Sequence, residues 1–170
     1  MREYPELIKR EENHRMELSL EEKWKRSRAA LSMLLGTSIK AIHESCGKEG
    51  LGKVARAWEE NNKKAARRLM EIVGREERDL ETVSRIIDFT DSIYGVEGEW
   101  TEIGPMRAIK VEKSCPLAKQ FPPEACALCF SGPMQGIARG VLGHDQAICR
   151  MPKSLPGGDG CCEIIIEVKR

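Results

Sequence analysis

The spacing of apolar residues changes at Gly95, and this change restricts the fold more than any other feature of the sequence. Before Gly95, apolar residues recur every three or four positions along highly charged segments, as they do in amphipathic α-helices. After Gly95, the apolar runs are short and are separated by Gly and Pro, as in β-strands and turns. We therefore predict one α+β domain over residues 1–170, with a helical part at 1–94 and a Cys-rich part at 95–170 that contains a small antiparallel sheet.

The helical part carries clear start and stop signals. Ser19 and Glu22 form a capping box, in which the two side chains satisfy free backbone amides at a helix N-terminus. Gly47 favours a left-handed helix stop. The predicted helices span residues 5–17, 19–47, 50–73 and 79–94. The helix that begins at Ser19 has an apolar stripe that we expect to be buried, and it consists of Leu20, Trp24, Leu31, Leu34, Leu35, Ile39, Ile42 and Cys46. Any cavity should lie between the helices and the Cys-bearing helix, with walls that include Trp24, Leu35, Trp58 and Ile87.

The Cys-rich part predicts the order ββαββ. Its strands are expected at residues 100–103, 106–112, 147–151 and 161–168, and its helix at 122–143. The second strand alternates charged residues with Ile109 and Val111, as a hairpin strand does. Gly132, Gly136 and Gly140 lie four residues apart on the helix, which predicts close packing of that helix against the sheet or a ligand.

Charge and hydropathy exclude several classes of partner. The 28 basic and 27 acidic side chains nearly cancel, so no overall field attracts nucleic acid or an anionic membrane. The longest apolar stretch, residues 29–42, is too short and too polar to span a bilayer. The odd number of cysteines, seven, and the absence of an apolar leader after Met1 predict a cytoplasmic protein rather than a secreted disulfide scaffold.

Six of the seven cysteines lie between Cys115 and Cys162, which indicates a site in this part of the chain. Thiolates are soft ligands, so zinc is the expected cofactor and an iron-sulfur cluster stays open. The predicted ligands are Cys126, Cys129, Cys149, Cys161 and Cys162. A zinc ribbon needs a second Cys-x-x-Cys pair, and ferredoxin spacing is also absent. The alternative is that several of these thiols are small apolar core residues.

Two motifs carry a family resemblance. The segment 129–136, Cys-Phe-Ser-Gly-Pro-Met-Gln-Gly, and the segment 158–164, Gly-Asp-Gly-Cys-Cys-Glu-Ile, resemble the end of the 4-vinyl reductase domain, a small-molecule-binding fold. The stretch from about Cys46 onwards is similar to the L-2-amino-thiazoline-4-carboxylic acid hydrolase family. It includes Lys-Ser-Cys-Pro-Leu-Ala at 113–118 and Lys-Ser-Leu at 153–155.

The resemblance implies an α+β domain whose helices and sheet enclose a pocket with thiolates near its wall. In sensor relatives, zinc is held by a helix cysteine, an acidic residue on the next strand and cysteines around the last turn. By position, Cys126 or Cys129 matches the helix ligand, and Cys161 or Cys162 matches a ligand after the turn. This chain departs from the pattern at the strand, where Cys149 stands near the acidic position.

These observations favour a small-molecule-binding domain with a Cys-lined metal site, used for sensing or for carrying a ligand. The alternative is a hydrolase that acts on a thiazoline-like or amide substrate through a metal-bound water or a Cys nucleophile, for which Cys115 before Pro116 is the candidate. Whether the chain is an enzyme stays open, as does a homodimer. The expected partner is a small molecule, with no nucleic acid and no membrane.

Overall fold

A computed structural model describes residues 18–169. These residues form three α-helices, a four-stranded sheet and one short 3-10 turn at Leu155–Gly157. The helices are α1 (Leu20–Ile72), α2 (Leu80–Tyr94) and α3 (Pro123–Leu142), and the strands are β1 (Glu97–Ile103), β2 (Arg107–Ser114), β3 (Ala147–Lys153) and β4 (Cys162–Val168). The α+β class and the ββαββ order are confirmed. The helix predicted at residues 5–17 lies outside the described residues.

The helix ends follow the local chemistry of the sequence. The Ser19 hydroxyl accepts a hydrogen bond from the Glu22 amide at 3.1 Å and caps α1. Two predicted helices form the single element α1, which is broken at Gly47, where φ is 55° and ψ is −150°. Asp79 caps α2, and Gly95 ends it in the left-handed conformation with φ of 74°.

The sheet has the strand order β1-β2-β4-β3, and all neighbouring strands are antiparallel. In the central pair, Glu112 of β2 lies opposite Cys162 of β4, and Lys110 lies opposite Ile164. The buried side chains of β2 are Ala108, Lys110 and Glu112, because these alternate positions face the helices. Two charged residues of β2 are therefore directed towards the interior.

Helix α3 packs closely on the part of α1 that follows Gly47. A side chain at Gly132 would clash with the Ala55 carbonyl, and one at Gly136 would clash with the Glu59 carbonyl. The glycine spacing was thus correctly predicted to mark close packing. The partner is α1, however, and not the sheet or a ligand.

In the described part of the chain, the buried apolar residues form two clusters. The larger cluster lies between α2, α3 and the sheet, and includes Val83, Ile137 and Ile164. The smaller cluster joins the middle of α1 to the segment between β2 and α3, and includes Leu51 and Phe121. A cavity borders both clusters, and its position is set by the contact of α3 with α1.

The first half of α1 is largely exposed, contrary to the predicted burial of its whole apolar stripe. Ile39 is buried, but Leu20, Leu34 and Trp24 are exposed, with Trp24 at 48%. The physical reason is that the α1 segment after Gly47 already covers α3. The segment before Gly47 therefore meets mainly the chain between β2 and α3. Among residues 18–169, none of the helices is both long enough and apolar enough to cross a membrane.

Candidate functional site

The candidate site is a cavity of about 370 Å³ between the three helices and the buried face of the sheet. The predicted wall residues Leu35, Trp58 and Ile87 do line it. Trp24 does not, because it lies on the exposed part of α1. The volume falls in the range typical of small-molecule pockets, which is about 300–1,000 Å³.

Most of the cavity wall is apolar, and part of it is aromatic. Trp58 and Phe130 contact each other with ring centroids 5.6 Å apart, and Tyr94 contributes a third ring. The remaining apolar wall is formed by Leu31, Leu35, Ile87, Val96, Leu117, Pro133, Met134, Ile137 and Met151. Within residues 18–169, the ionisable side chains that line the cavity carry carboxyl, phenol or thiol groups, all of which are acids, and none is Lys, Arg or His.

Glu112 is the most unusual of these acids. Its side chain is buried, with a relative exposure of 4%, and it lines the cavity from the central strand β2. Its Oε1 atom has no hydrogen-bond partner among the described residues. Burial, together with the nearby charges of Asp91 and Cys162, raises the pKa of Glu112 to about 8. At neutral pH this carboxyl is therefore mostly protonated.

Asp91 also lines the cavity, but it has a partner. Lys110 is 2% exposed, and its ammonium group donates hydrogen bonds to Asp91 and, at 2.6 Å, to Asp88. The same ammonium lies 5.3 Å from the centroid of the Trp100 ring. Burial raises the pKa of Asp91, and the Lys110 charge opposes this shift. Both hydrogen bonds of the Lys110 ammonium therefore go to these aspartates, and within residues 18–169 none reaches Glu112, although the Lys110 charge opposes the rise in the Glu112 pKa.

Three cysteines reach the cavity, namely Cys115, Cys126 and Cys162. The thiols of Cys126 and Cys162 interact with each other, which lowers the pKa of Cys162 and raises that of Cys126. The Leu155 amide also donates to the Cys162 sulfur, at 3.3 Å. Burial raises the pKa of Cys115 to about 11. Of the three, Cys162 has the greatest thiolate character, and Cys115 is a poor nucleophile.

The other predicted site cysteines lie elsewhere. The Cys129 thiol donates to the Leu51 carbonyl at 3.8 Å, and burial raises its pKa to about 11. Cys149 belongs to the larger apolar cluster, and burial raises its pKa to about 12. Cys161 is half-buried beside the last turn. The structure therefore brings Cys126 and Cys162 together and adds Cys115 to them.

The arrangement of ligands does not fit a zinc site. Structural zinc needs four ligands, and catalytic zinc needs three protein ligands with one open position. In the described part of the chain, no group of three or more His, Cys, Asp or Glu side chains is placed to hold a metal ion. We therefore derive no metal-dependent step, and zinc binding by the predicted cysteines stays a prediction.

Two acidic groups of the site, Glu112 and Asp91, were not among the site residues predicted from the sequence. Strand alternation offered a signal, because Lys110 and Glu112 share one face of β2 with Ala108. The spacing of Asp88 and Asp91 by one helical turn also places two carboxylates where they can hold one buried lysine.

Comparison with known proteins supports the fold. No protein-family profile matches the chain, and no curated protein matches its sequence. The chain is similar to the crystal structure of a trafficking protein particle complex subunit 3 from Naegleria fowleri covalently bound to palmitic acid. The TM-score is 0.65 at 18% identity, over 86% of this chain and 97% of that one.

A second similar structure is the phenol-responsive sensory domain of the transcription activator PoxR with phenol. The TM-score is 0.64 at 14% identity, over 81% of this chain and 74% of that one. At these identities the likeness concerns the fold alone. The chain therefore shares its architecture with both domains, and its sequence is assigned to no family.

Proposed function

We propose that this protein binds a small apolar molecule in the cavity between its three helices and its sheet. The observation that carries the proposal is the apolar and partly aromatic lining of a cavity of about 370 Å³, interrupted by a few buried polar groups. Such a wall favours transfer of an apolar body out of water, while the polar groups fix its orientation. The two similar structures contain palmitic acid and phenol, which supports this use of the fold.

The proposal is tested with 4-phenylbutan-1-ol, a neutral probe with an apolar body and one polar end. Isothermal titration calorimetry should detect binding to the wild-type protein. Leu31 lines the cavity from the exposed half of α1, so Leu31→Trp should weaken binding by about tenfold or more.

Leu34→Trp is the matched control for this experiment. Leu34 lies on the same half of α1, is 64% exposed and is not part of the cavity wall. This variant should bind the probe as the wild type does. Failure of the wild type to bind any probe with this phenylbutyl body, or equal loss of binding in both variants, would contradict the proposed function.

We propose thiol-dependent hydrolysis as a second candidate function. The lowered pKa of Cys162 favours it, as does the position of Glu112, a proton-bearing carboxyl, directly across the strand pair. The Cys162 thiolate should then attack the ester carbonyl of p-nitrophenyl butyrate, release p-nitrophenolate and keep the butyryl group as a thioester, which mass mapping detects. The Cys162→Ser variant should lose this adduct, whereas Cys115→Ser should keep it. An adduct on Cys115 instead would refute this assignment.

A homodimer remains a further proposal. The first half of α1 exposes Leu20, Met33 and Leu34, and association of two copies would remove this apolar surface from water. Sedimentation velocity on the wild type and on Leu34→Glu tests it. A monomeric wild type would end the proposal.

A further inference from the structure

The cavity wall has an unusual balance of charge. Its ionisable groups are Asp91, Glu112, Tyr94 and three thiols, so each of them is either neutral or negative. In the described residues, the lining offers no basic side chain to a ligand carboxylate or phosphate. An anionic ligand would therefore enter a weakly screened site without a counter-ion and close to buried acids.

Glu112 provides an unused hydrogen-bonding site in this wall. It is more than nine-tenths buried, and its Oε1 atom has no partner among the described residues. A buried polar atom without a hydrogen-bond partner destabilises the folded protein, and a ligand that donates a hydrogen bond to it would remove this cost. A ligand that brings one or more N–H or O–H donors to Glu112 would satisfy this atom.

The neighbouring cation does not fill this role. Lys110 is the second residue before Glu112 on the same face of β2, but its ammonium group is bound by Asp88 and Asp91. The aromatic rings of Trp58, Tyr94 and Phe130 line the same cavity. Aromatic faces attract organic cations, and buried carboxyls pair with them.

We infer that the cavity binds an organic ammonium ion, a primary amine on a compact apolar or aromatic body, with Glu112 as the group that receives the ammonium. This inference rests on the proposed small-molecule binding and specifies the class of ligand. The apolar body occupies the space beside Trp58 and Phe130, and the amine donates to the carboxylate of Glu112. Binding at neutral pH therefore releases the Glu112 proton to solvent.

The test compares three probes with the same phenylbutyl body, namely 4-phenylbutylamine, 4-phenylbutan-1-ol and 5-phenylvalerate. A hydrogen bond between charged groups has a larger net value than a neutral one. We expect the amine to bind at least about tenfold more tightly than the carboxylate, and more tightly than the alcohol.

Glu112→Gln keeps the shape of the side chain but removes its negative charge. In this variant the affinity for the amine should fall about tenfold, while that for the alcohol should change by less than about threefold. Glu163→Gln is the matched control, because Glu163 lies next to Cys162 on β4, outside the cavity wall, and pairs with Lys153. It should leave all three affinities unchanged.

The outcomes separate the ligand class from the function. If the alcohol or the carboxylate binds as tightly as the amine, or if Glu112→Gln leaves the preference unchanged, the ammonium inference is wrong and small-molecule binding stands. If none of the three probes binds the wild-type protein, the proposed function falls together with the inference. Far-UV circular dichroism of each variant confirms that it is folded.

Discussion

Replacing Glu112 by Gln should stabilise the protein at neutral and basic pH. The pKa of this carboxyl is about 8 in the folded protein, against an ordinary value of 4.5. Each pH unit between these values corresponds to about 1.4 kcal/mol, so the whole interval corresponds to about 5 kcal/mol.

The direction follows from proton binding. Between pH 4.5 and about pH 8, the unfolded chain releases the Glu112 proton while the folded chain keeps it. The free energy of unfolding is therefore not reduced by Glu112 ionisation below pH 4.5, and it falls as the pH rises from 4.5 towards 8. Gln cannot titrate, so the variant should match the wild type near pH 5 and exceed it by several kcal/mol at pH 8.

Urea unfolding at a series of pH values from about 5 to 8 measures this difference. Glu60→Gln is the control, because Glu60 is exposed on α1 and should show the same pH dependence as the wild type. Lys110 stays charged over this range because its pKa is raised, and Asp91 is present in all three proteins, so the comparison isolates the replacement of Glu112. Parallel stability curves for the wild type and Glu112→Gln would refute the reasoning.

Two substitutions and one labelling experiment test the packing and the charges around the cavity. Gly136→Ala places a methyl group against the carbonyl of α1 and should cost about 3 kcal/mol in urea unfolding, whereas Gly52→Ala, which has space, should cost nothing. Lys110→Met leaves Asp91 without its cation and should lower the free energy of unfolding by about 3 kcal/mol or more, measured in the same way. Iodoacetamide at neutral pH should alkylate Cys115 at least about tenfold more slowly in the folded protein than in urea, as read by mass mapping, because burial raises its pKa. Equal rates in the two states would contradict this expectation.

The helices and strands were predictable because their signals are local. Ser19, Gly47, Asp79 and Gly95 mark helix ends through their own backbone and side-chain chemistry. Gly132, Gly136 and Gly140 signalled close packing for the same reason. What the sequence could not show was which surface they meet, since that depends on how α1 lies across α3.

The pairing of cysteines was less predictable because it depends on contacts between distant segments. Cys126 and Cys129 lie on the same helix, yet Cys126 contacts Cys162 while Cys129 contacts the Leu51 carbonyl. Cys115 joins the first pair because the end of β2 lies beside the start of β4. Although they are only three residues apart on one helix, Cys126 lines the cavity and Cys129 lies in the packed core.

The inward face of β2 shows a different limit of sequence patterns. Hydrophobicity alone would direct Ile109 and Val111 to the interior, but these residues are only half-buried and Lys110 and Glu112 are buried instead. Lys110 is tolerated there because two carboxylates from α2 hold its charge. Glu112 has no such partner within residues 18–169, so the fold of this part of the chain does not account for its burial.

The burial of Glu112 leads to a last prediction, because a ligand that pairs with it should restore the stability that it costs. Binding to the folded state raises the free energy of unfolding by an amount that grows with ligand concentration relative to the dissociation constant. At a concentration of 4-phenylbutylamine that saturates the wild type, its unfolding free energy should rise by about 2–3 kcal/mol, as expected at about a hundred times the dissociation constant. The Glu112→Gln variant begins from a higher stability and should gain about 1.4 kcal/mol less, the equivalent of its tenfold weaker binding. At neutral pH, the amine would then reduce the difference in unfolding free energy between the wild type and Glu112→Gln. Urea unfolding with and without the amine measures this difference. An equal gain in both proteins would show that Glu112 is not the group that receives the ligand.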